Sequence, residues 1–181
     1  MTSDDALSRL ERALEANDHD VLRYLERRLT SEDAADALGD VMLAAWRRVD
    51  LTPSDPEEAR MWLFGIARNI TANVVRASRR RTNLTDRLRE VVGRHTQAPR
   101  ADEGMEVRDA IGRLSQSQAE LVRLVHWDGF TIAEAGIIIG VPASTARTRY
   151  QKARADLRAA LSPPAADPSQ RQDTDVRTPS V

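Results

Sequence analysis

Apolar residues recur along the chain at steps of three and four, and no stretch alternates apolar with polar as a half-buried strand does. The pattern predicts an all-α protein. Leu7, Leu10 and Leu14 mark a helix over residues 4–16, and Leu22, Leu25 and Leu29 a second over residues 20–29. Ser31 stands where it would cap a third helix, which carries Ala34, Leu38, Met42 and Ala45 on one face and reaches Val49. The prolines of "DLTPSDPEEA" predict a loop, and Asp55 or Pro56 begins a fourth helix through "WLFGIARNITANVVRASRRR". These four helices form a first predicted domain, residues 1–81.

From Thr82 the periodicity weakens into a polar stretch with Gly93, Pro99 and Gly104, read as a flexible linker over residues 82–106 that holds a short helix at 86–92. A second helical domain, residues 107–161, follows from helices expected over 105–114, 116–127, 131–139 and 142–161. After Leu161, "SPPAADPSQRQDTDVRTPSV" has almost no large apolar residue to bury, so residues 162–181 are expected to form a disordered tail. Two small helical layers also suit a chain of 181 residues in which only 4% are aromatic and 30% are charged.

The segment "TIAEAGIIIGVPASTARTRYQKARADL" is cut by Gly140-Val141-Pro142 into a short apolar helix and a longer one studded with arginine. Gly takes the left-handed backbone that ends a helix, and Pro is tolerated in the first turn of the next, so the sequence spells helix, tight turn, helix. In the second helix Ala146, Tyr150, Ala153 and Leu157 make a packing face, while Arg147, Gln151, Arg154 and Arg158 repeat the spacing one residue on. This is the layout of a recognition helix, whose first residues reach base edges and whose later ones hold phosphates. The candidates for base contact are Ser144, Thr145, Arg147, Thr148 and Arg149, and those for backbone contact are Lys152, Arg154 and Arg158. The competing reading is an ordinary helical hairpin in a bundle.

Charge sharpens the picture, because a formal net charge of -1 conceals segregation. Residues 31–60 hold eight acids against three arginines, with Asp36 and Asp40 one turn apart. Residues 76–100 hold eight arginines against Asp86 and Glu90, and residues 143–161 hold five basic residues against Asp156. Separate basic stripes suit a polyanion partner, since phosphate neutralisation and counterion release supply most of the affinity. On the fourth helix Ile66, Ile70, Val74 and Ala77 form a packing row, and Asn69, Asn73, Arg76 and Arg80 form a second row of amides and guanidiniums. Amides can read base edges and arginines can hold phosphates; the bland alternative is that the two asparagines bond the preceding loop.

The stretch "LSQSQAELVRLVHWDGFTIAEAGIIIGVPASTARTRYQKARADLRAAL" resembles the C-terminal promoter-binding domain of the extracytoplasmic-function (ECF) sigma factors of the sigma-70 family. Upstream, "DAADALGDVMLAAWRRV" and "ARMWLFGIARNITANVVRASRRR" resemble the N-terminal domain of the same family, and the likeness spans roughly residues 21–81 and 114–161. The resemblance implies a sigma factor with core RNA polymerase and promoter DNA as partners. It places the acidic helix, with Asp36 and Asp40, on the clamp helices of polymerase. It sets the row of Asn69, Asn73, Arg76 and Arg80 against the non-template strand of the minus-ten element, with Asn69 holding a flipped base, and it sets the second domain on the minus-thirty-five element. Such factors often have an anti-sigma partner. The chain departs from the family pattern at Gly39, Gly65, Asn73, Ile137 and Ala146.

Other chemistry finds little footing. Without cysteine there are no disulfides, thiolate zinc sites or thiol nucleophiles. His19, His95 and His126 share no ligand spacing, and Trp46, Trp62 and Trp127 fall near apolar faces where core packing is the default. The sequence therefore implies no cofactor, no metal and no catalysis. No apolar run is long enough to span a bilayer and the opening residues lack a signal-peptide core, so the expected location is the cytoplasm. Two further functions stay open on the residues alone: a helix-turn-helix regulator, and a degenerate polymerase-interacting protein without promoter recognition.

Overall fold

The computed structural model describes residues 3–89 and 105–162. Among the described residues there are seven α-helices, one 3-10 turn and no strand. In chain order they are α1 (Ser3–Glu26), α2 (Ser31–Trp46), the 3-10 turn Val49–Leu51, α3 (Pro56–Arg89), α4 (Met105–Arg113), α5 (Gln116–His126), α6 (Ile132–Ile139) and α7 (Ala143–Leu161). Helices α1 to α3 form one domain and α4 to α7 a second, of which α6 and α7 are a helix-turn-helix.

Four local expectations are corrected. The two helices expected before residue 29 are one, because Asn17 is buried and its amide donates to the Ala13 carbonyl at 2.8 Å, which keeps a polar stretch inside the helix. The cap of α2 is Thr30, not Ser31: the Thr30 hydroxyl accepts from the Asp33 N–H. The buried stripe of α2 runs through Ala34, Ala37, Val41 and Ala45, which leaves Met42 on the outside and Leu38 half-buried. The fourth expected helix begins with Pro56 in its first position, behind Asp55, whose carboxylate accepts from the Glu58 N–H at 2.9 Å. It continues to Arg89, so Thr82–Arg89 extend α3 instead of starting a loop. The remainder of the expected short helix and linker, residues 90–104, and the tail from residue 163 lie outside the described residues.

The first domain buries Leu10, Val21, Leu25, Val41 and Leu63, and the second buries Ile111, Leu121, Leu124, Ile138 and Tyr150. Fully burying a side chain of this size contributes about 1.5–3 kcal/mol. The two cores are continuous through a ladder of rings: Tyr24 on Phe64, with centroids 5.3 Å apart, and Phe64 on Phe130, 4.8 Å apart, both edge to face.

The turn between α6 and α7 has the form the sequence spelled. Gly140 is left-handed at φ 76°, and the Val141 N–H reaches back to the Gly136 carbonyl at 2.9 Å, closing α6. Pro142 stands one residue before α7, where its carbonyl accepts from Ala146 at 2.9 Å. Gly136 allows the two helices to approach, since a Cβ there would meet the Ala146 Cβ at 3.0 Å and the Val141 carbonyl at 3.2 Å.

Candidate nucleic-acid and polymerase interface

Helix α7 buries Ala146, Tyr150 and Ala153 and packs Leu157 against the core. The Tyr150 hydroxyl and His126 Nε2 lie 2.8 Å apart, tying α7 to the end of α5. Of the residues expected to touch DNA, Ser144, Arg147, Thr148, Lys152, Arg154 and Arg158 are exposed, while Thr145 and Arg149 are half-buried on the flank. The Thr148 hydroxyl donates to the Ser144 carbonyl at 3.1 Å. None of the five basic residues of α7 takes part in an ion pair among the described residues. Their charge is uncommitted.

On α3, Asn69, Asn73, Arg76 and Arg80 are all exposed, along one line of the helix. Arg76 donates to the Asn73 side-chain oxygen at 2.6 Å and to the Ala72 carbonyl at 3.1 Å, which fixes the Asn73 amide with its nitrogen free to donate. No hydrogen bond joins Asn69 or Asn73 to the loop before α3 among the described residues. Asn69 lies at a groove of about 700 Å³ between α3 and α6, with Trp62, Ile66 and Arg68 on one wall and Ile137 and Ile138 on the other.

The acidic helix presents more than charge. Asp36 and Asp40 are exposed on α2, and beside them stand Met42, Leu43 and Trp46, the last 57% exposed. Trp46 was expected in the core; the Ala-rich stripe that packs α2 faces the other way. Trp127 is exposed too, beyond the end of α5, while Trp62 is half-buried against the core. Exposed apolar residues beside carboxylates form the kind of surface on which proteins dock. No group of His, Asp and Glu that could hold a metal ion occurs among the described residues, and His95 lies outside them.

The sequence pattern gave no sign of how the domains meet. Tyr24 donates to Glu120 at 2.7 Å, and Arg28 reaches both Glu120, at 3.2 Å, and Asp128, at 3.3 Å. Arg27 is paired with the other Asp128 oxygen, and Arg60 donates to the Asp128 carbonyl at 2.7 Å while lying over the Phe130 ring. Burial pushes the Asp128 carboxyl up against the pull of Arg28 and Arg27, and it pushes the Tyr24 hydroxyl well up, helped by Glu120. These partners stand 68 to 101 residues apart in the chain, beyond any spacing rule; the Arg27-Arg28 doublet just after α1 and the Asp128-Gly129 turn are the only local cues.

A helix-turn-helix with an uncommitted basic face, joined to a second helical domain that exposes an acidic and apolar face, has the build of a DNA-binding protein that works with a protein partner. The sigma-70 region 2 family matches residues 13–81, and the sigma-70 region 4 family matches residues 104–157. The ECF RNA polymerase sigma factor SigC of Mycobacterium tuberculosis is 30% identical over 158 residues, covering 85% of this chain and 84% of the relative. SigM of the same organism is 32% identical over 139 residues, 77% of this chain and 68% of the relative. The fold is shared with the sigma factor RpoE from Bartonella quintana, solved with the anti-sigma factor NepR, at a TM-score of 0.60 and 23% identity over 83% of this chain and 95% of that one. It is also shared with CnrH, solved with the cytosolic domain of CnrY, at a TM-score of 0.61 and 22% identity over 88% and 94%. The chain belongs to the ECF RNA polymerase sigma factors of the sigma-70 family. It binds core RNA polymerase and promoter DNA and directs polymerase to specific promoters, assisting their opening in transcription initiation.

Proposed function

We propose that promoter recognition is divided between the two exposed rows. Asn69 and Asn73 take unstacked bases of the minus-ten element while Arg76 and Arg80 hold its backbone. On α7, Ser144, Thr145, Arg147, Thr148 and Arg149 read the minus-thirty-five element, and Lys152, Arg154 and Arg158 hold phosphates. Asp36 and Asp40, with the apolar patch of Met42, Leu43 and Trp46, dock on polymerase. The observation that carries this reading is the one-sided build of α7: buried Ala146, Tyr150 and Ala153 behind, uncommitted basic residues in front.

The packed arrangement of the domains is not the one that engages a promoter. The two elements lie roughly 25 base pairs apart, about 85 Å at 3.4 Å per pair, whereas Asn69 and the helix before the recognition helix share one groove. The domains separate when polymerase and promoter bind. Ile137, 63% exposed at that groove, and the open apolar patch of α2 suit an anti-sigma partner that holds the packed form. The protein performs no catalysis, polymerase supplying the chemistry, and it works in the cytoplasm; no helix among the described residues is long and apolar enough to cross a membrane.

The test is Asn69→Ala. Closed-complex affinity stays nearly intact, open-complex formation slows on duplex promoters, and a premelted template largely restores it, because the unstacking cost of a few kcal/mol has been met in advance. Permanganate footprinting on both templates decides, and equal defects on the two would make Asn69 structural.

A further inference from the structure

Between α1, α3 and α5 lies a cleft of about 570 Å³ whose charged lining is Arg27, Arg28, Arg68, Arg123 and Glu120. Its cations are of two kinds. Arg27 and Arg28 are neutralised by Glu120 and by buried Asp128 just behind the wall. Arg68, from α3, and Arg123, from α5, are half-buried and make no hydrogen bond or ion pair among the described residues. Arg123 pays for this in its own basicity: burial first, and the nearby Arg28 charge second, lower its pKa. Four guanidiniums against two carboxylates leave a surplus of two positive charges in a confined space.

A guanidinium withdrawn from water without an acceptor is unfavourable, and its planar fork matches phosphate oxygens in pairs. Water-facing surface arginines would need no partner; Arg123 lines this cleft from one domain, and Arg68, which also lines the groove beside Asn69, reaches it from the other. Ala72 and Val75 give the cleft an apolar wall, and its volume falls in the range of small-molecule sites. We propose that this cleft binds a small phosphate-bearing ligand of nucleotide size, whose phosphate oxygens are held by Arg68 and Arg123 and whose remainder lies along Ala72 and Val75.

This site goes beyond promoter recognition and has a consequence for it. Because Arg68 and Arg123 belong to different domains, the ligand binds only when they are packed together. By linkage, ligand at a hundred times its Kd shifts the balance from separated to packed domains roughly a hundredfold. The ligand therefore opposes promoter engagement.

Isothermal titration calorimetry of the full chain with pyrophosphate, in a phosphate-free buffer and against sulfate at equal ionic strength, tests the site. The expected result is saturable binding, one pyrophosphate per chain, weakened at least tenfold by Arg68→Gln and by Arg123→Gln, with small-angle scattering showing the wild-type chain more compact when pyrophosphate is added. Circular dichroism checks that both variants fold. If Arg123→Gln does not, Arg68→Gln decides alone, since Arg68 contributes nothing to either core. Affinity no greater than that of sulfate, or equal affinity in a folded variant, overturns the proposal. Displacement of pyrophosphate by a short single-stranded oligonucleotide that binds more tightly would overturn it as well, making the cleft a groove for DNA.

Discussion

The guanidinium of Arg28 and the carboxylate of Asp128, 100 residues apart in sequence, meet at 3.3 Å with side chains 5% and 0% exposed. Arg28 also lies over the Tyr24 ring, 3.6 Å from its centre. A buried pair of this kind is only modest evidence of net stability, but removing one partner strands the other. Asp128→Ala should cost about 3–5 kcal/mol of packing, felt as separation of the domains before either unfolds. Small-angle scattering and a thermal melt read this together: an enlarged molecule with two transitions is expected, and an unchanged profile with one transition would remove Asp128 from the contact.

Acid should strengthen the same contact through Asp128. Its folded carboxyl is raised above 3.8, by burial first. Such a group contributes stability that is fully present below the ordinary carboxyl value and lost as pH rises through its raised one. In the window between the two, protonation of Asp128 is favoured more in the packed domains than in the separated ones. A carbon-detected titration of Asp128 gives the answer, and a midpoint at or below 3.8 would contradict the account.

Two glycines should respond oppositely to alanine. At Gly136 the added Cβ would press on Ala146 and on the Val141 carbonyl, forcing α6 off α7, so Gly136→Ala should destabilise by about 1–3 kcal/mol. At Gly39, exposed inside α2 with nothing within 4 Å of an added Cβ, Gly39→Ala should stabilise by roughly 0.5–1 kcal/mol. Urea unfolding measures both, and a common sign would break the argument from approach distance.

On α7, Arg154→Ala with Arg158→Ala should weaken binding to all sequences alike and reduce the salt slope by roughly 2. Arg149→Ala should instead relax preference at one or two base positions, at a cost of about 1–3 kcal/mol. Binding isotherms across salt and across sequence variants distinguish them. An unchanged slope in the first case, or uniform weakening in the second, would reverse the assignment of roles.

Much of this was legible along the chain because it rests on short-range rules. Gly140 in the left-handed turn, the buried spacing of Ala146, Tyr150 and Ala153, and the all-α class each follow from contacts within a few residues. The misses share one cause. Whether Asn17 breaks a helix, or Met42 and Trp46 face inward, depends on which side of a helix meets its neighbour, and small Ala34, Ala37 and Ala45 carried that information more faithfully than the larger residues did. The meeting of Tyr24, Arg27 and Arg28 with Glu120 and Asp128 has no periodic signature at all, because its partners are brought together only by the docking of two finished domains.

Asp36→Lys with Asp40→Lys should abolish retention on core polymerase while circular dichroism stays unchanged, since both side chains are exposed on a helix packed by its other face. Normal retention of the folded double variant would place the docking surface elsewhere.

Run-off transcription with core polymerase and a library of promoter sequences tests most directly whether this chain itself selects promoters for polymerase. The expected result is transcripts that depend on both the minus-thirty-five and the minus-ten sequences. Retention of the chain on polymerase without any promoter-dependent transcript would contradict it and leave a polymerase-binding protein that does not recognise promoters.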